Sequence, residues 1–162
     1  MKIILIGFMG SGKTTVAKKL GEKLDLKVIE MDDLIIKKSG KSIRQIFSEN
    51  GEAQFRELET KVAKNLEKRD KCIISTGGGV VMSKINIGYL KENGKIIFLK
   101  TSFLEITERL KNNNDRPLFK DKKMAKKLFI FRQKLYEEYA DLIINTDGKS
   151  VEKITYEIIS QN

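Results

Sequence analysis

The chain has 162 residues, 40% apolar and 33% charged, with a formal net charge of +10. That length suffices for one well-buried core, and apolar runs of only a few residues exclude a membrane-spanning helix, which needs about 20. With no histidine, His metal ligands and Ser-His or Cys-His catalytic pairs are excluded, and any general base is a carboxylate.

The apolar run Lys2 to Ile6 predicts a buried first strand. It leaves no room ahead of it for a signal peptide, so a cytoplasmic location is expected. Directly after it stand Gly7-Phe8-Met9-Gly10-Ser11-Gly12-Lys13-Thr14, the pattern G-x-x-x-x-G-K-[ST] of a phosphate-binding P-loop. The glycines let backbone N–H groups approach phosphate oxygens. Lys13 would reach the β- and γ-phosphates, and the Thr14 hydroxyl would hold Mg²⁺. A helix over Lys13 to Leu24, with Val16, Ala17 and Leu20 facing inward, aims its positive end at the same anion. Gly10, Ser11, Gly12, Lys13, Thr14 and Thr15 are therefore the nucleotide-binding candidates.

Lys27 to Glu30 predicts a second strand that continues into Met31-Asp32-Asp33. Strand pleating would put Glu30 and Asp32 on one side, one carboxylate toward Mg²⁺ and one toward an acceptor hydroxyl. The alternative is a helix N-terminus that favours acids. Ser42 reads as an N-cap for a helix over Ile43 to Ser48, and Gly51 punctuates before a helix from about Glu52 to Lys68. On that helix Arg56 and Glu59 share a face at i, i+3; alone, such a pair reads as a surface ion pair.

Cys72 to Ser75 predicts a third strand, and its single cysteine fits a reducing compartment. Thr76-Gly77-Gly78-Gly79 follows, where glycines permit a ligand to approach backbone N–H groups. Lys95 to Lys100 is the fourth strand, and Ser102 to about Asn112 a helix carrying Arg109. Asn112-Asn113-Asn114-Asp115 and Pro117 break it. Arg116-Pro117-Leu118-Phe119 sits in a polar stretch suited to a mobile lid, from which an arginine could swing onto a phosphoryl group. A helix from about Lys123 to Tyr139 carries Arg132, with Tyr136 one turn on. Leu142 to Asn145 is the fifth strand and Val151 to Ser160 the closing helix. Strands alternating with helices predict an α/β fold, a five-stranded parallel sheet covered on both faces.

Of the basic residues only Arg44, Arg56, Arg69, Arg109, Arg116 and Arg132 are arginines. Four of these six fall at the motif positions, where bidentate contacts to carboxylate or phosphate would be made. The lysines are scattered along helices without an aromatic platform, so no nucleic-acid partner is expected despite the charge.

Taken in order, the P-loop, Glu30 and Asp32, Phe55-Arg56-x-x-Glu59, Gly77-Gly78-Gly79, Arg116-Pro117-Leu118 and Arg132-x-x-x-Tyr136 resemble shikimate kinase over essentially the whole chain. That family belongs to the nucleoside-monophosphate-kinase-like P-loop group. The resemblance implies one domain over 1–162, with a lid at roughly 112–124 and a substrate-binding helical segment at roughly 32–60. It implies a cytoplasmic, monomeric enzyme of the aromatic amino-acid pathway. MgATP would phosphorylate the 3-hydroxyl of shikimate, giving shikimate 3-phosphate and ADP.

By the same resemblance Lys13, Asp32 and Arg116 are catalytic, Asp32 orienting or deprotonating the attacking hydroxyl and Arg116 contacting the phosphates. Arg109 packs on adenine. Arg56 and Arg132 clamp the shikimate carboxylate, Glu59 holds Arg56, and Gly77, Gly78 and Gly79 lie along the substrate. Thr14 and Glu30 serve the metal, although the family usually has aspartate where this chain has Glu30. The alternative acceptor class is that of another small-molecule P-loop kinase such as gluconate kinase. A GTP-dependent switch would carry D-x-x-G and N-K-x-D segments, and neither occurs.

Overall fold

The computed structural model describes residues 1–111 and 121–161. Its five strands are β1 (Lys2–Ile6), β2 (Lys27–Glu30), β3 (Cys72–Ser75), β4 (Gly94–Lys100) and β5 (Leu142–Asn145). All pair in parallel, in the order β2-β3-β1-β4-β5. The chain leaves β1 toward one edge of the sheet and later returns to build the other. The carboxyl end of β1 is thus a topological switch point, where open α/β sheets bind their ligands.

Because strand side chains alternate, β1 feeds two cores. Ile3 and Leu5 pack with Ile73, Ile97, Leu99 and Ile144 under Val16, Ala17 and Leu20 of α1 (Lys13–Leu24) and Ile154 and Ile158 of α7 (Val151–Ser160). Ile4 and Ile6 pack on the other face with Ile74, Ile96 and Phe98. That face is covered by α2 (Met31–Ser39), α3 (Ile43–Leu66), α4 (Lys84–Lys91), α5 (Phe103–Leu110) and α6 (Lys122–Tyr139). Burial on both faces explains why β1 reads as an unbroken apolar run. No helix among the described residues is long and apolar enough to cross a membrane.

The local signals act as their chemistry dictates. Ser42 caps α3 through a reciprocal capping box with Gln45. Gly51, at φ 81° and ψ 172°, interrupts α3 where the sequence predicts a break. Ser102 and Ser150 cap α5 and α7 by accepting from Glu105 and Lys153 N–H groups.

Three features differ from expectation. Asp32 is not on a strand: β2 ends at Glu30 and the next residue opens α2, so Asp32 lies in a first helical turn, where an acid complements the helix dipole. The 3-10 turn Val80–Met82 and α4 were not anticipated. The Asn112–Asp115 break, Arg116, Pro117 and all but the last four residues of the expected lid lie outside the described residues. Asp121, which follows, caps α6 by accepting from the N–H groups of Lys123 and Met124.

Gly21 shows how tightly α1 rests on its neighbours. A methyl group there would lie 2.6 Å from a Val28 methyl and 3.0 Å from the Leu26 carbonyl oxygen. Gly21→Ala would gain about 1 kcal/mol of helix propensity but lose about 1–3 kcal/mol to overpacking. Because the carbonyl oxygen belongs to backbone, the loss is expected to win. Denaturant unfolding should give a variant less stable by up to about 2 kcal/mol; greater stability than wild type would show that α1 can move.

Candidate active site

The turn after β1 is wound by glycine: Gly12 holds the left-handed conformation (φ 89°, ψ 17°) as the N-cap of α1, which a side chain resists. Ser11 N–H closes the loop onto the Phe8 carbonyl at 3.1 Å. Lys13 lies beneath it, its Nζ donating to the carbonyls of Gly7 (2.7 Å) and Phe8 (3.0 Å). The ammonium is therefore held at the loop by the same segment whose N–H groups would take phosphate.

Thr14, one residue into α1, donates its hydroxyl to Glu30 Oε2 at 3.2 Å. The other carboxylate oxygen, Glu30 Oε1, is buried and has no hydrogen-bond partner among the described residues. Arg109 comes from α5. It donates to the Gly10 carbonyl at 3.2 Å and to Glu105 at 3.1 Å, so it is fixed against the P-loop from the side.

A cavity of about 550 Å³ opens over this arrangement, lined by Gly10 to Thr15, Glu30, Asp32, Gly77, Gly78 and Arg109. Its far wall is formed by Lys149, Ser150, Val151 and Ile154 at the start of α7. Lys149 is paired there with Glu157 at 2.7 Å. The Asn145-Thr146-Asp147-Gly148 stretch offers no motif, so this wall could not be read ahead; the Ser150 cap was the only local signal. A second hollow, of about 440 Å³, lies at the amino-terminal edge of the sheet by Lys2, Lys91 and Lys95. All three lysines there are already partnered, by the Glu67 carbonyl, Asp141 and the Gln161 carbonyl.

Beside the main cavity the Gly77–Gly79 run is crowded by the protein's own charged groups. A methyl on Gly77 would lie 3.2 Å from both Asp32 Oδ1 and Glu59 Oε1, and one on Gly78 3.2 Å from Met9 N and 3.7 Å from Arg132. On Gly79 it would overlap the Arg56 guanidinium. The glycines thus make room for side chains to lie across the backbone, a role not read from the sequence alone.

Arg56 pairs with Glu59 at 2.9 Å and Glu52 at 3.4 Å. Expected alone to be a surface pair, it is anchored in the interior, since Glu59 is only 1% exposed. Arg132 is also buried, with its Cζ 5.9 Å from the centre of the Phe8 ring, within cation–π range. Its Nε has no acceptor among the described residues.

Burial lowers the affinity of Arg132 for its proton, and the charge of Arg56 lowers it further against support from Tyr136. Two guanidinium groups held this way, one with an unused donor, form a site whose electrostatic cost an anion removes. The structure therefore brings Lys13, Thr14, Glu30, Asp32, Arg56, Arg109, Arg132 and the glycine run to one edge of the sheet. Arg116 lies outside the described residues.

Fold and site define a small P-loop phosphotransferase with two arginines, Arg56 and Arg132, against the glycine run that borders its nucleotide cleft. The sequence pattern of the shikimate kinase family matches residues 9–162. A shikimate kinase of Persephonella marina is 42% identical over 160 residues, 98% of this chain and 97% of its own. Among solved structures, a shikimate kinase of Acinetobacter baumannii in complex with shikimate superposes with a TM-score of 0.93. It is 32% identical, the match covering 99% of this chain and 91% of that one. The Aquifex aeolicus shikimate kinase gives a TM-score of 0.83 at 37% identity, covering 99% and 95%. The chain belongs to the shikimate kinase family and is an ATP-dependent kinase.

Burial raises the Glu59 carboxyl above its ordinary 4.5, and Arg56 pulls it back only in part. A carboxyl raised in the folded state adds stability below its unfolded pKa and loses it as pH rises through the folded value. Glu59→Gln keeps the shape and removes the buried charge. Its Tm relative to wild type is expected to climb as pH rises above about 4.5, at roughly 2–4 °C per kcal/mol for a chain of this size. A Tm difference independent of pH would show that the Glu59 charge carries no penalty.

Proposed function

We propose that the protein transfers the γ-phosphoryl group of ATP to the 3-hydroxyl of shikimate, giving shikimate 3-phosphate and ADP in aromatic amino-acid biosynthesis. The observation that carries the acceptor assignment is the pair Arg56 and Arg132. Arg56 lies over Gly79 and Arg132 beside Gly78, which also borders Met9 of the P-loop, and two such guanidinium groups suit one carboxylate. A nucleotide acceptor would instead need a site for a base. Relatives similar over nearly the whole chain are named for shikimate, and one was solved in complex with it.

Each residue then has a stated task. The P-loop N–H groups and Lys13 hold the β- and γ-phosphates and take up charge that develops on the transferring group. Asp32, beside Gly77, orients the acceptor hydroxyl and accepts its proton late in the transfer. Arg56 and Arg132 fix the carboxylate, converting an encounter of two molecules into an aligned one. Arg109 borders the nucleotide cleft and is the group on which adenine packs. Arg116 is assigned to the phosphates on its charge and its place in the sequence.

Thr14 and Glu30 are the residues that would hold Mg²⁺, whose chemistry is to neutralise phosphate charge. The unpartnered, buried Glu30 Oε1 fits that task. We assign residues 32–60 to acceptor binding and the whole of 1–162 to one domain. The free, buried thiol of Cys72 suits the reducing cytoplasm.

The reading is tested by ADP release from MgATP with shikimate, with gluconate, with nucleoside monophosphates and with no acceptor. Turnover far above the no-acceptor rate is expected for shikimate alone; another acceptor active with shikimate inert would overturn it. Lys13→Ala should lower kcat on the order of 10²–10³-fold, and near-normal turnover would remove Lys13 from the mechanism.

Gly79→Ala separates acceptor binding from nucleotide binding. Its backbone (φ −97°, ψ 3°) admits a side chain, and the group displaced is the Arg56 guanidinium. The KM for shikimate should rise roughly tenfold with the KM for ATP nearly unchanged, and the Tm should fall because Glu59 loses its partner. An unaltered shikimate KM would take Arg56 out of the clamp.

A further inference from the structure

We propose that Tyr136 is a positioning residue for the acceptor, its hydroxyl setting the Gly78–Gly79 peptide and Arg132 against the substrate carboxylate. The inference rests on the acceptor assignment above and assigns the residue that the phosphoryl-transfer roles leave unused. Tyr136 is fully buried in α6. Its ring packs on Phe98 of β4, with centroids 5.0 Å apart and planes at 31°, and its hydroxyl donates to the Gly78 carbonyl. Arg132 lies one helical turn earlier on the same helix, where residues four apart share a face. A methyl on Gly78 would sit 3.7 Å from the Arg132 guanidinium. The phenol, the glycine carbonyl and the arginine therefore form one contiguous group.

The physical argument concerns a run that has no side chains of its own. Three successive glycines have the widest backbone freedom available, and a binding surface made of them must be held from outside to be preorganised. In a planar trans peptide the C=O and N–H point in opposite directions. Tethering the Gly78 carbonyl to α6 therefore turns the Gly79 N–H away from α6.

Burial keeps the phenol protonated well above its usual range, so the hydroxyl stays a donor at any working pH. The ring supplies packing against Phe98; the hydroxyl supplies orientation.

Tyr136→Phe keeps the ring and removes only the hydroxyl, leaving the Gly78 carbonyl without its donor. The expected result is a dissociation constant for shikimate, by titration calorimetry, weakened about tenfold. The KM for shikimate should rise in parallel, while the KM for ATP stays within about twofold and the Tm changes little. In a double-mutant cycle with Arg132→Lys the two losses should be less than multiplicative, because both act on one carboxylate.

Shikimate affinity within about twofold of wild type, or equal rises in both KM values together with a fall in Tm, would overturn the positioning role. If wild-type enzyme turned over another acceptor and left shikimate untouched, the reaction assignment would fall instead. That result is read from the unmodified protein and is independent of the Tyr136→Phe comparison.

Discussion

Thr76 continues the pairing of β1 with β3 one residue beyond the strands. Its N–H and its hydroxyl both donate to the Leu5 carbonyl, at 3.3 and 2.9 Å. Two bonds to one acceptor leave little freedom where β3 ends, so the glycine run starts at a fixed place beside the P-loop. The closeness of Gly78 to Met9 N, with room for no side chain between them, follows from that attachment. Everything the site does with two substrates depends on these two loops being neighbours. Were β3 to slip by one residue against β1, side chains would exchange faces, and Thr76 could no longer reach Leu5.

The second constraint is electrostatic. Arg56 and Arg132 are held near each other in a partly desolvated region, and the buried carboxylate nearest to them, Glu59, is itself raised by burial. This arrangement does not maximise stability: a buried ion pair seldom repays its desolvation in full. What it favours is binding of an added negative charge: an acceptor carboxylate would supply the partner that donors such as Arg132 Nε lack among the described residues. The net charge of +10 acts in the same direction at longer range, drawing anionic substrates toward the surface, with an effect that salt screens.

What could be read from the sequence divides along the range of the interactions. The P-loop is set by local backbone chemistry, and Gly12, Lys13 and Thr14 stand where eight consecutive residues place them. The five strands and the Ser42 cap are local too, and are legible for that reason. Glu30 and Asp32 do border one cavity, but Asp32 reaches it from the first turn of α2, the alternative the acids allow, and not from a strand pleat. Met31 is a good helix former and the acids after it favour a helix start; that signal was present and competed with the strand reading. The short helix α4 has only eight residues, too few for a firm period. Burial of the Arg56–Glu59 pair was not legible, because it depends on the glycine run some twenty residues downstream folding back over α3. The wall formed by Lys149 to Ile154 was equally hidden. It is created by the place of β5 at the sheet edge beyond β4, which no pattern within residues 145–151 encodes.

Glu30 shows how one methylene is accommodated. It is the N-cap residue of α2, with an extended backbone (φ −89°, ψ 119°), yet its side chain accepts no bond from that helix. A shorter aspartate at such a position readily folds back onto the N2 or N3 N–H group. Glutamate reaches outward instead, and its Oε2 meets the Thr14 hydroxyl at the start of α1. In the sheet, β3 lies between β2 and β1, a separation of roughly 9–10 Å at two strand spacings, so the longer arm is useful in spanning toward the P-loop. The reach costs extra rotamer entropy and leaves Oε1 buried without a donor, which is unfavourable in isolation. A hydrated divalent cation offers the compensation such an oxygen lacks. On that ground the substitution of glutamate for aspartate is compatible with a metal-serving role, reached by a longer path.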